Sequence, residues 1–226
     1  MNFDLNKKTL TEVNHHLQNV DRKKNTRKFE ILNPQGQHAI CEGLKDDIDI
    51  TIKGHTGYYC AGMNQRAKVT VHGNVGTGVA ENMMSGKIIV KGNASQSAGA
   101  TGHGGALIIE GDASSRCGIS MKGINIVVKG SVGHMSAFMA QKGNLVVMGD
   151  ADADLGDSIY EAKIFVKGKV KSLGADCVEK KMDKKNIDEL NKLFKELGIK
   201  EDAKKYKRYG SSRNLYNFKI DNVGAY

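Results

Sequence analysis

Glycine returns every 19 residues through the middle of this chain, at Gly54, Gly73, Gly92, Gly111, Gly130, Gly149 and Gly168, without a slip. Two residues before each glycine stand Ile52, Val71, Val90, Ile109, Val128, Val147 and Val166. Four before stand Ile50, Val69, Ile88, Leu107, Ile126, Leu145 and Ile164. Aliphatic residues at alternate positions make short strands with one buried face. A strand that repeats its inward pattern at so short a period can bury that face only against copies of itself, which is a solenoid. The expected fold class is all-β: a single-stranded right-handed β-helix of seven 19-residue turns over residues 49–178, with short helical N- and C-terminal flanks.

The residue directly before each glycine is polar and outward in every unit except that of Met148. Seven residues after each glycine come Ala61, Ala80, Gly99, Gly118, Ala137, Gly156 and Ala175, never larger than a methyl group. Both columns read as corners, where a side chain would block the bend or strike the next rung. Equivalent atoms on successive rungs stack ~4.8 Å apart. Cys60 and Cys117 hold the same place three rungs apart, about 14 Å, which is too far for a disulfide. Cys41 and Cys177 add no C-x-x-C spacing, so reduced core thiols are expected.

An open solenoid end is an unpaired sheet edge and must be covered. In the N-terminal segment, residues 1–48, Thr9-x-x-Glu12 forms a capping-box pattern, with Leu10, Val13, Leu17 and Val20 at helical spacing. In residues 179–226, Asn186-x-x-Glu189 opens a second helical pattern through Ile187, Leu190, Phe194 and Leu197, with Gly198 placed to stop it. These amphipathic faces either cap the rod or dock another subunit. The tail after Arg208 carries three tyrosines and a phenylalanine, a composition expected to pack against something.

The net charge of +9 sits mainly in the C-terminal segment, with no Arg-rich run and no RNA-binding signature, so no nucleic-acid partner is expected. No stretch approaches the ~20 apolar residues of a membrane span, and the N-terminus lacks the apolar core of a secretory signal. A cytoplasmic protein is the expectation. His55, His72, His103 and His134 fall at four different offsets from their glycines and do not converge. The strings GATGHGG and GNVGTG lack the lysine and following helix of a phosphate loop. Asp150, Asp152, Asp154 and Asp157 do not follow a calcium-loop spacing. We expect no catalytic residue, no cofactor and no metal in this chain.

The runs GVAENMMSG (78–86), GNASQSAGATGHGG (92–105), GDASSRCGISMKG (111–123), GSVGHMSAFMAQKG (130–143) and GDSIYEAKIFVKG (156–168) resemble the GXGXG domain that ends the large subunit of glutamate synthase. In that family each turn reads G-x-x-G-x-x-x-G. Here the second glycine is present at Gly57, Gly76 and Gly133 and replaced by serine, aspartate or lysine elsewhere. With LGADC (173–177) and YGSSRNLYNF (209–218), the chain is more similar still to the stand-alone β-helix subunit of N-methylglutamate synthase and its relatives. The resemblance implies a non-catalytic structural subunit of a hetero-oligomer. Its partners would be a glutamine-amidotransferase-like chain and an FMN-binding synthase-like chain that also carries an iron–sulfur cluster. The complex would form N-methylglutamate from glutamate and methylamine, releasing ammonia. Alternatives are a glutamate-forming relative, the GXGXG-patterned subunit of formylmethanofuran dehydrogenase, or a free-standing binding module or homo-oligomer. The expected partner interface is Glu81, Asn82, Met83, Met84, Arg116, Met121, Lys122, His134, Met135, Phe138 and Met139, the methionines serving either an adaptable docking face or the core.

Overall fold

The protein is described here by a computed structural model covering residues 1–21 and 27–213. It is a parallel β-solenoid of about seven turns with two short helices. Strands β3 (Asp49–Lys53), β4 (Lys68–Val71), β5 (Lys87–Val90), β6 (Ala106–Ile109), β7 (Lys122–Val128), β8 (Lys142–Val147) and β9 (Lys163–Val166) are the seven rungs of the repeat. They pair in parallel at the 19-residue spacing, Ile50 with Val69, Val69 with Ile88, and onward to Ile164. Both aliphatic columns are fully inward, each residue 1% exposed or less. A second column of single bridges runs through Thr56, Val75, Ala94, Ala113, Val132, Ala151 and Val170.

The repeat glycines are required by close approach. A Cβ at Gly73 would stand 2.6 Å from both the carbonyl carbon and the oxygen of Gly54, closer than real Cβ contacts come. Beside that column runs a ladder of side-chain acceptors. Asn74 Oδ1 accepts from Asn93 N–H at 2.8 Å, Asn93 Oδ1 from Asp112 N–H at 2.9 Å, and Asp112 Oδ1 from Ser131 N–H at 2.7 Å. A Cβ on Gly92, Gly111 or Gly130 would drive into the acceptor oxygen of this ladder.

The sheet extends upstream of residue 49. Strand β2 (Lys28–Leu32) pairs in parallel with β3, and β1 (Asn2–Asp4) with β2. The step from Lys28 to Asp49 is 21 residues, which places this rung outside the glycine period. Helix α1 (Leu10–Gln18) begins at the Thr9–Glu12 capping box and buries Val13 and Leu17 over this end of the core. Asn14 Nδ2 donates to Ala39 O at 2.8 Å and its Oδ1 accepts from Cys41 N–H at 2.9 Å, satisfying backbone groups the solenoid leaves open.

The other end departs from the 19-residue rule. Leu155 bridges Leu173 at 18 residues, Ala175 is exposed, and Cys177 enters the core. There β11 (Lys207–Ser211) pairs antiparallel with β9, and β10 (Cys177–Lys180) pairs antiparallel with β11. Helix α2 (Lys184–Leu197) ends at Gly198 in the left-handed conformation, as its sequence predicts. It starts earlier than expected, because Asp183 rather than Asn186 accepts the Asn186 N–H as cap. Nor does α2 cover the end of the rod. Leu190, Leu193 and Phe194 lie on the outer face of the sheet, against Val127, Val146 and Phe165. Met148, the one apolar residue before a repeat glycine, packs into this second core. All four cysteines are buried and free. The last part of the aromatic tail, residues 214–226, lies outside the described residues.

Candidate partner-docking face

The third side of the solenoid is a ribbon of left-handed residues. On the first six rungs the fifth, seventh and ninth residues after the glycine have φ between +50° and +75°. They are Tyr59, Ala61 and Met63, then Gly78, Ala80 and Asn82, and likewise through Asp154, Gly156 and Ser158. The first N–H donates to the following rung, Tyr59 to Thr77 O at 2.8 Å, and the second to the preceding rung, Ala61 to Ile40 O at 2.9 Å. The third points forward again, Met63 to Glu81 O at 2.8 Å. Each left-handed non-glycine residue costs roughly 1–2 kcal/mol. Inter-rung hydrogen bonds of about 1 kcal/mol each offset this. The middle column is buried, which restricts it to glycine and alanine; the outer columns face outward and take larger side chains.

Surface chemistry differs between the sides. Charges on the strand side pair along the ladder: Glu30 with Lys53, Asp49 with Lys68, and Glu110 with both Lys91 and Lys129 at 3.0 Å. On the ribbon side, Glu42, Glu81, Arg116, Lys122, Lys142 and Glu161 have no ion-pair partner among the described residues. Toward the C-terminal rungs charges do pair: His134 Nδ1 lies 3.4 Å from Asp154, Lys171 Nζ 2.8 Å from Asp152, and the Arg213 guanidinium 2.7 Å from Asp176. The same side carries Tyr58, Tyr59, Met63, Met84 and Met139, each 40 to 51% exposed. Exposed apolar groups beside uncompensated charges are what a partner-binding surface presents.

The eleven residues expected at an interface divide accordingly. Glu81, Asn82, Met84, Arg116, Lys122, His134 and Met139 lie on the ribbon side with exposed or half-buried side chains, and Met135 and Phe138 are half-buried there. Met83 and Met121 do not belong with them. They occupy one inward column, are fully buried, and fill the core. Sequence reasoning missed Tyr58, Tyr59 and Glu42, and it left Met63 of the methionine group out of the interface; all four lie on earlier rungs of the same surface. Their signal was register, since Tyr59 shares its column with Arg116 and Met135, and Met63 with Asn82 and Met139. Among the described residues no three His, Cys, Asp or Glu side chains gather as a metal site requires, and no helix is long and apolar enough to cross a membrane.

Stacked turns, a collision-enforced glycine column and a left-handed ribbon define a GXGXG-type β-solenoid. The GXGXG motif family model matches residues 2–219, and the chain belongs to that family. It is similar to Protein GlxC of Rhizobium meliloti strain 1021, with 55% identity over 225 residues that span 99% of each chain.

Proposed function

We propose that this chain is the non-catalytic scaffold subunit of a cytoplasmic, multi-subunit, glutamate-synthase-like enzyme that forms N-methylglutamate from glutamate and methylamine. Its ribbon side seats a glutamine-amidotransferase-like subunit and an FMN- and iron–sulfur-bearing synthase-like subunit. The reaction takes place on those partners. What a stiff rod contributes is fixed relative placement of the two partner subunits and their active sites. The observation that carries this reading is the unpaired, apolar ribbon side on a chain whose family membership spans nearly its whole length. The family runs GVAENMMSG, GDASSRCGISMKG and GSVGHMSAFMAQKG all form part of that side.

Co-expression with the two catalytic chains of the same organism, followed by purification through this chain alone, tests the proposal. A yellow complex whose N-methylglutamate formation depends on its being intact supports it. A colourless homo-oligomer that ignores both chains refutes it, and co-purification of a molybdopterin-bearing chain assigns the protein to a formylmethanofuran-dehydrogenase-type complex instead.

A further inference from the structure

One part of the ribbon side is recessed. Glu42, Tyr59, Gly62, Met63, Glu81 and Asn82 line a groove of about 310 Å³. Gly62 opens it, in the column that holds Glu81, Ala100, Ile119 and Phe138 on later rungs. A Cβ there would stand 3.3 Å from the Tyr59 carbonyl oxygen, 3.7 Å from that of Glu81 and 3.8 Å from Glu42 Cγ, so the missing side chain leaves open the floor of a groove that both glutamates line. Neither carboxylate has a cation within reach among the described residues, although the protein carries a net charge of +9.

The side chains of the groove wall add a second observation. Tyr59 and Met63 are held at φ +58° and +52°, yet their side chains are about half exposed and contribute little to the core. The ribbon accepts glycine in these columns, as Gly78 and Gly43 show, and glycine would remove the left-handed penalty. A Cβ on Gly78 would stand 2.7 Å from the Tyr59 ring and 2.9 Å from Glu81 Oε2, so ring and carboxylate lie side by side at the groove.

We propose that this groove receives a lysine or arginine side chain of the docked synthase-like subunit. The cation sits between the Glu42 and Glu81 carboxylates against the Tyr59 ring, and its aliphatic stem lies along Met63. Two carboxylates supply charge complementarity, the ring face adds a cation–π contact, and the thioether packs against an unbranched stem. The inference rests on the scaffold reading and adds the chemistry of the contact.

The test measures affinity of the purified synthase-like chain for this full-length chain by calorimetry at two salt concentrations. Three variants accompany the wild type: the double variant Glu42→Gln/Glu81→Gln, the groove-filling Gly62→Leu, and Glu110→Gln on the strand side. The expected result is a loss of about tenfold or more for the first two, a weaker salt dependence for the double variant, and no change for the third. An unchanged circular dichroism spectrum and a cooperative melting transition show that the variants are folded. If wild type binds and both groove variants bind equally well, the groove proposal is overturned and the scaffold reading stands. If the wild type binds nothing, both fall.

Discussion

Replacing Gly73 by alanine tests why the repeat exists. The added Cβ would lie 2.6 Å from the Gly54 carbonyl and 2.8 Å from the His55 nitrogen, all backbone atoms with no rotamer to yield. Ordinary contact begins at 3.4 Å, so the two rungs must part locally by about 0.8 Å. The flanking bond from His72 N–H to Ile52 O, now 2.8 Å, would lengthen to about 3.6 Å, and that from Thr56 N–H to Asn74 O would stretch similarly. Both would leave hydrogen-bonding range. Two such losses at roughly 0.5–1.5 kcal/mol each, with residual strain of 1 kcal/mol or more, give a destabilisation of about 2–4 kcal/mol. For a chain of this size that lowers Tm by about 5–15 °C in a calorimetric scan. Gly210→Ala is the control, because its Cβ meets nothing closer than 3.7 Å. A Gly73→Ala protein melting within about 2 °C of that control would refute the collision argument.

Burial pushes the Cys60 and Cys177 thiols up to about 11 and Cys117 to about 12, and raises Cys41 well above its ordinary value. Native protein at pH 8 should therefore resist Ellman's reagent, and urea should release four thiols; rapid native labelling would contradict the packing. For Glu110, partial burial alone would raise the carboxyl pKa, but hydrogen bonds from Lys129 and Lys91 outweigh it and hold the value below 4.5. A depressed pKa contributes stability above the unfolded value, lost as pH falls through the folded one. Glu110→Gln should thus cost about 0.5–1 kcal/mol at pH 7 and progressively less as pH falls below the ordinary carboxylate value, as read by denaturant titration. Phe194→Ala should cost about 3–5 kcal/mol in the second core and raise amide exchange in α2, while β3 to β6 stay protected. Asn14→Ala should cost about 1–3 kcal/mol by orphaning Ala39 O and Cys41 N–H, and a melting curve identical to wild type would argue against that capping role.

The strands were legible because a two-residue alternation inside a fixed period leaves one way to bury the aliphatic columns. The rod's fold, its free cysteines and the collision at the glycines followed from that geometry. The ribbon did not, because side-chain polarity reports which way a residue points and not the sign of φ. Ala61, Ala80 and Ala137 looked like corner residues, whereas they are the buried middle of a left-handed run. The same blindness put Met83 and Met121 on the surface with their outward neighbours Met84 and Lys122. Helix α2 was visible, but the two seats expected for it were the end of the rod and another subunit, and it takes neither among the described residues. The outward column that changes from Thr51 and Thr70 to Val127, Val146 and Phe165 was the clue that it lies on the sheet's flank.

The claim at the centre of this account is that the ribbon side is where the catalytic subunits sit. Hydrogen–deuterium exchange of this chain alone and in the co-expressed complex measures that directly. The account predicts new protection at the outward ribbon segments, residues 58–63, 77–84, 115–121 and 134–141, with strands β3 to β9 and α2 unchanged. Protection confined to α2 and the outer face of the sheet, with the ribbon exchanging as in the free chain, would contradict it.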